Sequence, residues 1–496
     1  MCSNPNRLRE IKFFSQSLSA KAAILEIFHT IVRVSLIFLI VFIERKKPGE
    51  ALIWVAIVFF FPVAGGILYF IFGSTVNIKL TYRARSREVY EVYRNEIESQ
   101  IKLLHERNAK AHAIRGEEEL AAYFNVNYAE SILTQWNEID LITSGEEKRQ
   151  KLLDDISQAQ HHIHVAYYAI HHDWLGIEFV EALAKKAAEG VRVRVLFDGM
   201  GSLGNARKLF GPLKKAGGEI KRIKPLLTHF RYHRKIVVID GSLGYIGGMN
   251  IGRKYVGENP RKTPWRDTQV RIKGEAASLL QYYFLYDWMY ANGLRNHIEA
   301  SDEQAFLFPP IDHVQELPCQ VIGSGVDTGK QVMKLSYLRM ISLAQERIVI
   351  QSPYFIPSNS LSELLKVALS SGVEVILMLP GRRSNFFLDP TTRYHIAQLV
   401  PLGLKVFNYN GYLHAKTLRI DSGITCIGSV NIDIRSLEVD DEICAIFFGE
   451  EVAKKYDAII DQDLKNSNEL NYDALSNRGL LKRFTERFFL LFSPFM

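Results

Sequence analysis

The sequence predicts an α/β protein. Two tandem, similar units, each a mixed β-sheet flanked by helices, follow an N-terminal anchor of two membrane helices. Three observations lead there. A polar hairpin sequence occurs twice, as "YHRKIVVIDGSLGYIGGMN" (232–250) and "LHAKTLRIDSGITCIGSVN" (413–431). The stretches upstream match as well: "AKKAAEGVRVRVLFDG" resembles "KVALSSGVEVILMLPG", each with a Gly-Val step about 42 residues before its His, so two units are offset by roughly 180 residues. Third, the first 75 residues hold two apolar runs of helix length.

The first run, Ile24 to Ile43, carries Glu26, His29 and Arg33. The second, Ala51 to Phe72, has 22 residues and no charge, about 33 Å of helix. Two spans joined by the loop ERKKPGE are expected. The length and charges of the first run, and the presence of the second, argue against a cleaved signal peptide. Basic residues flank the pair on both sides (Arg7, Arg9, Lys12, Lys21; Lys79, Arg83, Arg85, Arg87), and Arg45, Lys46 and Lys47 lie in the loop. The count slightly favours both ends in the cytoplasm, which would make a multi-pass protein of the plasma membrane with both similar units in the cytoplasm.

After the anchor (1–75) comes a charged, helix-like connector (76–135), then the first unit (136–305) and the second unit with its tail (306–496), divided near "EQAFLFPPIDHVQELP". Within each unit Val/Ile-rich runs alternate with helix patterns such as "GIEFVEALAKKAAEG". In the tail, Leu481, Phe484, Phe488 and Phe492 recur at helical spacing beside Lys482, Arg483 and Arg487. That pattern fits a helix lying in a membrane interface and equally a terminal helix packed on the protein.

The net charge of +7 is spread along the chain, as a solvated surface or an attraction to an anionic partner requires. Cys2, Cys319, Cys426 and Cys444 show no metal spacing. Cys426 and Cys444 lie in apolar runs and read as reduced core residues; nothing apolar precedes Cys2, so a lipoprotein anchor is not expected. No GxxxxGK[ST], HExxH or CxxC motif is present. His161, His162 and His164 precede a strand and are expected at a surface or strand edge rather than on a metal. His171 and His172 fall at a strand's end, where α/β sites have their rims.

The repeated hairpin carries the chemistry. A strand turns alternate side chains to one face, so His233 and Lys235 point the same way, as do His414 and Lys416. Facing each other, the two copies would form a cationic pocket without a carboxylate cluster for a metal. It suits a phosphodiester: Lys235, Lys416, Asn250 and Asn431 hold the non-bridging oxygens. One His attacks phosphorus, forming a covalent phospho-enzyme, and the other serves as acid and then base. Each His needs an orienting partner. Asp267 in "WRDTQVRI" and Glu442 in "DDEICAIFF" are the candidates, with Asp440 and Asp441 beside the latter. Asp240 and Asp421, at the hairpin turns, are assigned mainly to structure.

The doubled pattern HxKx4Dx6G[GS]xN resembles the phospholipase D superfamily, and with the apolar N-terminus, "HHIHVAYYAI", "WRDT", "SPYFIPS" and "RFFLLFSPFM" the chain resembles the bacterial cardiolipin synthases within it. The resemblance covers nearly the whole chain. It implies two phospholipase-D-like domains related by a pseudo-twofold axis, with the site between them and neither metal nor cofactor. The catalytic motifs would be His233, Lys235, Asp240 and His414, Lys416, Asp421. His233 would be the nucleophile and His414 the acid/base, with Asn250 and Asn431 on phosphate and Asp267 and Glu442 orienting the imidazoles. Gly248 departs from the Ser that many members carry. The implied reaction joins two phosphatidylglycerol molecules into cardiolipin and releases glycerol. Lipid hydrolysis or transfer to another alcohol would use the same residues. The spans weigh against a nuclease and a nucleic-acid partner, and two intact motifs weigh against a non-catalytic scaffold.

Overall fold

A computed structural model describes residues 5–44, 48–74, 116–202, 206–223, 231–258, 263–292, 307–310, 314–325, 330–381, 388–470, 479–491 and 493. The chain divides into an N-terminal unit and a larger body.

In the N-terminal unit, α1 (Pro5–Phe38) continues through one π turn, Leu39–Ile43. Lys21–Ile43 is, among the described residues, the one helix long and apolar enough to cross a membrane. The second apolar run differs from the expected single span. It divides into α2 (Pro48–Phe60) and α3 (Pro62–Phe72), because Pro62 has no N–H for the helical ladder and drives Phe61 out of helical geometry (φ −131°, ψ 70°). The two helices fold back on each other. The Trp54 and Tyr69 rings meet edge to face at 5.2 Å, where a straight helix would hold these residues about 22 Å apart. Small residues allow the approach: a Cβ at Gly65 would stand 2.9 Å from Ile57 O, and one at Gly66 2.7 Å from the Leu36 side chain of α1. Ser74 Oγ donates to Glu44 Oε1 at 2.6 Å, so the end of α3 returns to the end of α1. With 13 residues α2 is about 20 Å long, short of the ~30 Å hydrocarbon core.

The body opens with α4 (Glu117–Ala129). The first half follows as β1 (Leu133–Ile142), α5 (Gly145–Gln158), β2 (His162–Tyr167), α6 (Trp174–Ala188), β3 (Arg192–Asp198), β4 (Glu219–Ile223), β5 (Lys235–Ile239), β6 (Leu243–Gly247), β7 (Trp265–Arg266), β8 (Gln269–Gly274) and α7 (Glu275–Ala291). The second half repeats this plan. It runs β9 (Glu316–Ser324), α8 (Val332–Ser342), β10 (Arg347–Gln351), α9 (Asn359–Ser370), β11 (Glu374–Pro380), α10 (Leu388–Leu399), β12 (Lys405–Tyr409), β13 (Tyr412–Leu413), β14 (Thr417–Ile420) and β15 (Ile424–Gly428). It then continues through α11 (Ile434–Glu438), β16 (Glu442–Phe448) and α12 (Glu450–Lys465), and ends in β17 (Ser467–Glu469) and α13 (Leu480–Leu490).

The duplication is exact at the level of strand order. The first half reads β1-β8-β6-β5-β2-β3-β4 and the second β9-β16-β15-β14-β10-β11-β12, and antiparallel pairing of β1 with β9 joins them into one sheet of 15 strands among the described residues. Both halves are mixed: β2-β3-β4 and β10-β11-β12 are parallel, the other neighbours within each set antiparallel. The central strands are buried on both faces, as their near-continuous apolar runs demand. One outer face packs α5 and α6 (Leu152, Ile156, Phe179, Leu183) on Val165, Val195 and Val237. The other packs α8, α9 and α10 (Tyr337, Leu365, Ile396) on Ile348, Ile350 and Leu377. Between the halves, α7 and α12 (Leu280, Phe284, Tyr456, Ile460) share a core with Ile236, Val270, Ile427 and Ala445. The layers therefore alternate helix, sheet, helix, sheet, helix.

Two local expectations change. Of the connector, 76–115 lies outside the described residues, and its end packs on the body: α4 buries Ala121 and Ala122 in the core of the second half, Val126 is buried as well, and Asn125 Nδ2 donates to Gln320 Oε1 at 3.1 Å. His162 and His164 are core rather than edge residues. Both bond to Gln281, at 3.1 and 2.9 Å, and His164 stacks on Phe284. Burial holds both imidazoles below their ordinary pKa, hence neutral. Cys319, Cys426 and Cys444 are buried thiols.

Candidate active site

Each hairpin is pinned at its far end by its aspartate. Asp240 and Asp421 take positive φ (50° and 46°), and their carboxylates accept from three successive backbone N–H groups. Gln160, His161 and His162 donate to Asp240 at 2.8, 2.8 and 2.9 Å; Gln345, Glu346 and Arg347 donate to Asp421 at 2.8, 2.9 and 2.7 Å. A five-residue strand, about 17 Å, separates Asp240 from the His end. As catalytic candidates these two aspartates are misplaced; they clamp the turn to the start of the neighbouring strand.

At the other end the halves interlock. His233 N donates to Asp441 O at 2.8 Å and His414 N to Arg266 O at 2.6 Å. Each His segment thus runs parallel to the segment carrying the other half's carboxylate; Tyr232 bridges Asp441, and β13 pairs with β7. The register delivers each carboxylate to the imidazole across the interface. His233 Nδ1 lies 2.8 and 3.0 Å from the Glu442 oxygens, and His414 Nδ1 2.6 Å from Asp267 Oδ2. In both rings Nδ1 is engaged, which leaves Nε2 for chemistry.

His233, His414, Asn250 and Asn431 line one cavity of about 760 Å³ between the halves. Lys235 and Lys416 lie just behind, fully buried, each donating to its own His carbonyl at 2.5 Å; Lys416 Nζ is also 3.2 Å from His414 Nε2. Asn250 Nδ2 donates to Tyr255 Oη at 2.7 Å, and Asn431 Nδ2 to Ser436 Oγ at 3.3 Å.

Gly248 has a geometric reason. A Cβ there would overlap the Asp267 carboxylate, whereas the matching Ser429 donates its hydroxyl to the longer Glu442. The halves therefore use two sets, Gly with Asp and Ser with Glu. Asp440 is occupied elsewhere, accepting from Arg435 at 3.1 Å and from Arg231 N at 3.0 Å, which leaves Glu442 as the acid on His233.

Burial sets the electrostatics. It pushes Lys235 down to about 7 and Lys416 to about 8. With Lys235 and Lys416 it holds His233 well below its ordinary value, and with Lys416 it takes His414 down to about 3, so both imidazoles rest neutral. The carboxylates diverge. Burial raises Glu442 to about 7, but at Asp267 burial is outweighed by the Lys416 ammonium together with the hydrogen bonds from His414 and Thr268 N, which hold the carboxyl below the usual range.

Sequence reasoning missed much of the wall. Tyr168 meets His233 edge to face at 5.2 Å, and Trp265 lies 5.0 Å from His414 and stacks on Tyr412 at 4.7 Å. Arg231, Lys254, Tyr354, Asp433 and Arg435 also line the cavity. Asp433 and Arg435 follow Asn431 by two and four, a readable signal; Tyr168 follows the end of a parallel strand, as the crevice rule anticipates. Lys148 gave none: from α5 its Nζ donates to Met249 O at 2.9 Å beneath the Asn250 segment. Neither His171 nor His172 lines the cavity. Among the described residues no cluster of three His, Cys, Asp or Glu could hold a metal.

The family described as "Cardiolipin synthase, PLD-like domain" matches residues 152–288 and 337–464, and "Phospholipase_D-nuclease N-terminal" matches 31–74. The major cardiolipin synthase ClsA of Bacillus subtilis is 34% identical over 490 residues, covering 97% of this chain and all of that one. Cardiolipin synthase 2 of Staphylococcus epidermidis is 34% identical over 469 residues, 92% and 95% of the two chains. The crystal structure of phosphatidylserine synthase from Haemophilus influenzae shares the fold, with a TM-score of 0.56 at 15% identity over 72% of this chain and 95% of that chain. By these matches and its doubled, interlocked motif, the chain belongs to the cardiolipin synthase family of phospholipase-D-like proteins.

Proposed function

We propose that the protein transfers a phosphatidyl group from one phosphatidylglycerol to another, giving cardiolipin and glycerol through a phosphohistidine. The observation that carries this reading is the crossed pair of His–carboxylate contacts in one cationic cavity. Lys235 and Lys416, helped by Asn250 and Asn431, would neutralise the phosphate oxygens. His233 Nε2, a free lone pair while Nδ1–H faces Glu442, attacks phosphorus; the P–O bond to the headgroup glycerol breaks, and that oxygen takes a proton from His414. The terminal hydroxyl of a second phosphatidylglycerol then gives its proton to His414 and displaces His233. The ionised Asp267 favours His414 as the imidazole that carries a proton. Since His414 rests neutral, binding of the anionic phosphodiester must raise its pKa so that it takes that proton from solvent.

Water competes at the phosphohistidine, and transfer wins only where the acceptor is held in a dry site; the Tyr168, Trp265 and Tyr412 rings around the two imidazoles supply apolar walls. For the anchor, the reading is that α1 crosses the plasma membrane once and α2–α3 dips in as a hairpin from the side on which α1 ends. Arg45, Lys46, Lys47, Lys79, Arg83, Arg85 and Arg87 then fall on one side and Arg7, Arg9, Lys12 and Lys21 on the other. This balance favours a cytoplasmic body with the N-terminus outside.

The test is mass spectrometry of lipids after incubating the full chain in mixed micelles with phosphatidylglycerol alone, with and without EDTA. Cardiolipin with an equivalent of glycerol is expected under both conditions. Phosphatidic acid alone would make water the acceptor and the protein a hydrolase.

A further inference from the structure

The last helix, α13, answers the question its sequence leaves open by doing two things at once. One side is packed: Phe489 and Glu486 are buried, and Glu486 faces Arg393 of α10 at 3.6 Å. The opposite side is bare. Leu480, Leu481, Phe484 and Leu491 are 85%, 78%, 66% and 62% exposed, and Phe488 is exposed beside them. At 100° per residue these five fall within one arc of about 100°. Arg483 and Arg487 stand at its edge. The same helix reaches the catalytic cavity, whose lining includes Phe488 and Phe489.

A bare apolar arc edged by arginines, continuous with the mouth of a cavity built for an anionic phosphodiester, has one occupant that fits both its charge and its position. We propose that α13 lies in the interface of an anionic bilayer, its Leu480–Leu481–Phe484–Leu491 face buried among the acyl chains and Arg483 and Arg487 at the phosphates, so that the cavity opens onto the leaflet. A lipid would then move from membrane to His233 along Phe488 without passing through water. The proposal rests on the phosphatidyl-transfer reading only in that the cavity takes a lipid. It assigns to α13 the delivery of substrate, separate from the chemistry.

Two measurements on the full chain test it. First, bimane attached at Phe484→Cys, in a chain that also carries Cys2→Ser, is read in nanodiscs of phosphatidylglycerol with brominated acyl chains. Quenching is expected there. A label that stays unquenched overturns the proposal, as does a label shielded in detergent in proportion to protein concentration, which would mean that a second copy covers the face. This readout needs no turnover, so it decides the placement of α13 even if phosphatidylglycerol is not converted, a result that would count against the reaction alone. Second, the double variant Leu481→Glu/Phe484→Glu is assayed on two forms of phosphatidylglycerol. Against long-chain lipid in vesicles kcat/KM should fall at least about tenfold; against short-chain lipid dissolved as monomers it should stay within about twofold of the parent. Equal losses on both forms would make α13 a wall of the cavity and overturn the proposal.

Discussion

Asp267 and Glu442 occupy equivalent points of the duplication, yet their proton affinities differ, and the pH dependence of turnover follows. Lys235 and Lys416, held by burial at about 7 and 8, are charged below those values and neutral above, so in the role proposed for them a grip on phosphate would weaken as pH rises through 7–8. Glu442, raised to about 7, works in the other sense: below that pH it is protonated and ceases to be an anionic partner for His233. The profile of kcat/KM should therefore be a narrow bell that climbs toward pH 7 and falls above about pH 8, its limbs belonging to the coupled network rather than to single residues. Glu442→Gln should lower turnover and abolish the acid limb while leaving the alkaline one. An acid limb that survives in that variant would assign it to another group. The fixed spacing of His, Lys, Asp and Asn made this cast of residues legible in the sequence. Their protonation was not, because it depends on how deeply the interlocked halves bury each group.

The hairpin α2–α3 shows where element-scale reading stops. Hydropathy and length describe Ala51 to Phe72 as well for one through-helix as for two short ones, since both bury the same apolar residues in lipid. Only Pro62 and the Gly65–Gly66 pair distinguished them, and proline is tolerated within spanning helices. The difference has a consequence for topology. Two full spans return the chain to the side where it began, whereas one span and a hairpin leave the N-terminus and the body on opposite sides. The native cysteines provide the measurement: Cys319, Cys426 and Cys444 are buried in the body, and Cys2 precedes α1. A membrane-impermeant maleimide applied to intact cells should label the protein, and Cys2→Ser should remove that label. Labelling of Cys2 only after lysis would restore the two-span anchor.

For the whole molecule, duplication made the architecture readable, since two copies of one motif require two copies of whatever presents it. The crossing of the carboxylates was not readable. Asp267 follows His233, and Glu442 follows His414, more closely in sequence than either carboxylate lies to the His it touches, so proximity along the chain suggests pairing within a half. The backbone bonds from His233 to Asp441 and from His414 to Arg266 reverse that suggestion, and they make each half's imidazole depend on the other half's acid. The dependence has a kinetic signature. A phosphodiester with a p-nitrophenol leaving group needs no proton to depart, so it relieves whichever His acts as the acid in the first step. With His233 attacking and His414 protonating, Asp267→Asn should lose on the order of 10²–10⁴-fold against phosphatidylglycerol but about tenfold or less in the nitrophenol burst. Glu442→Gln should lose on the order of 10²-fold against both, because its imidazole is the nucleophile. His414→Ala should share the Asp267→Asn pattern, with a burst of nitrophenol and an accumulating phospho-protein, while His233→Ala gives no burst. If the two imidazoles exchange roles, both patterns invert together and the crossing stands. Only a carboxylate that shares the phenotype of the His in its own half would break it, since the two halves would then titrate and turn over as independent sites.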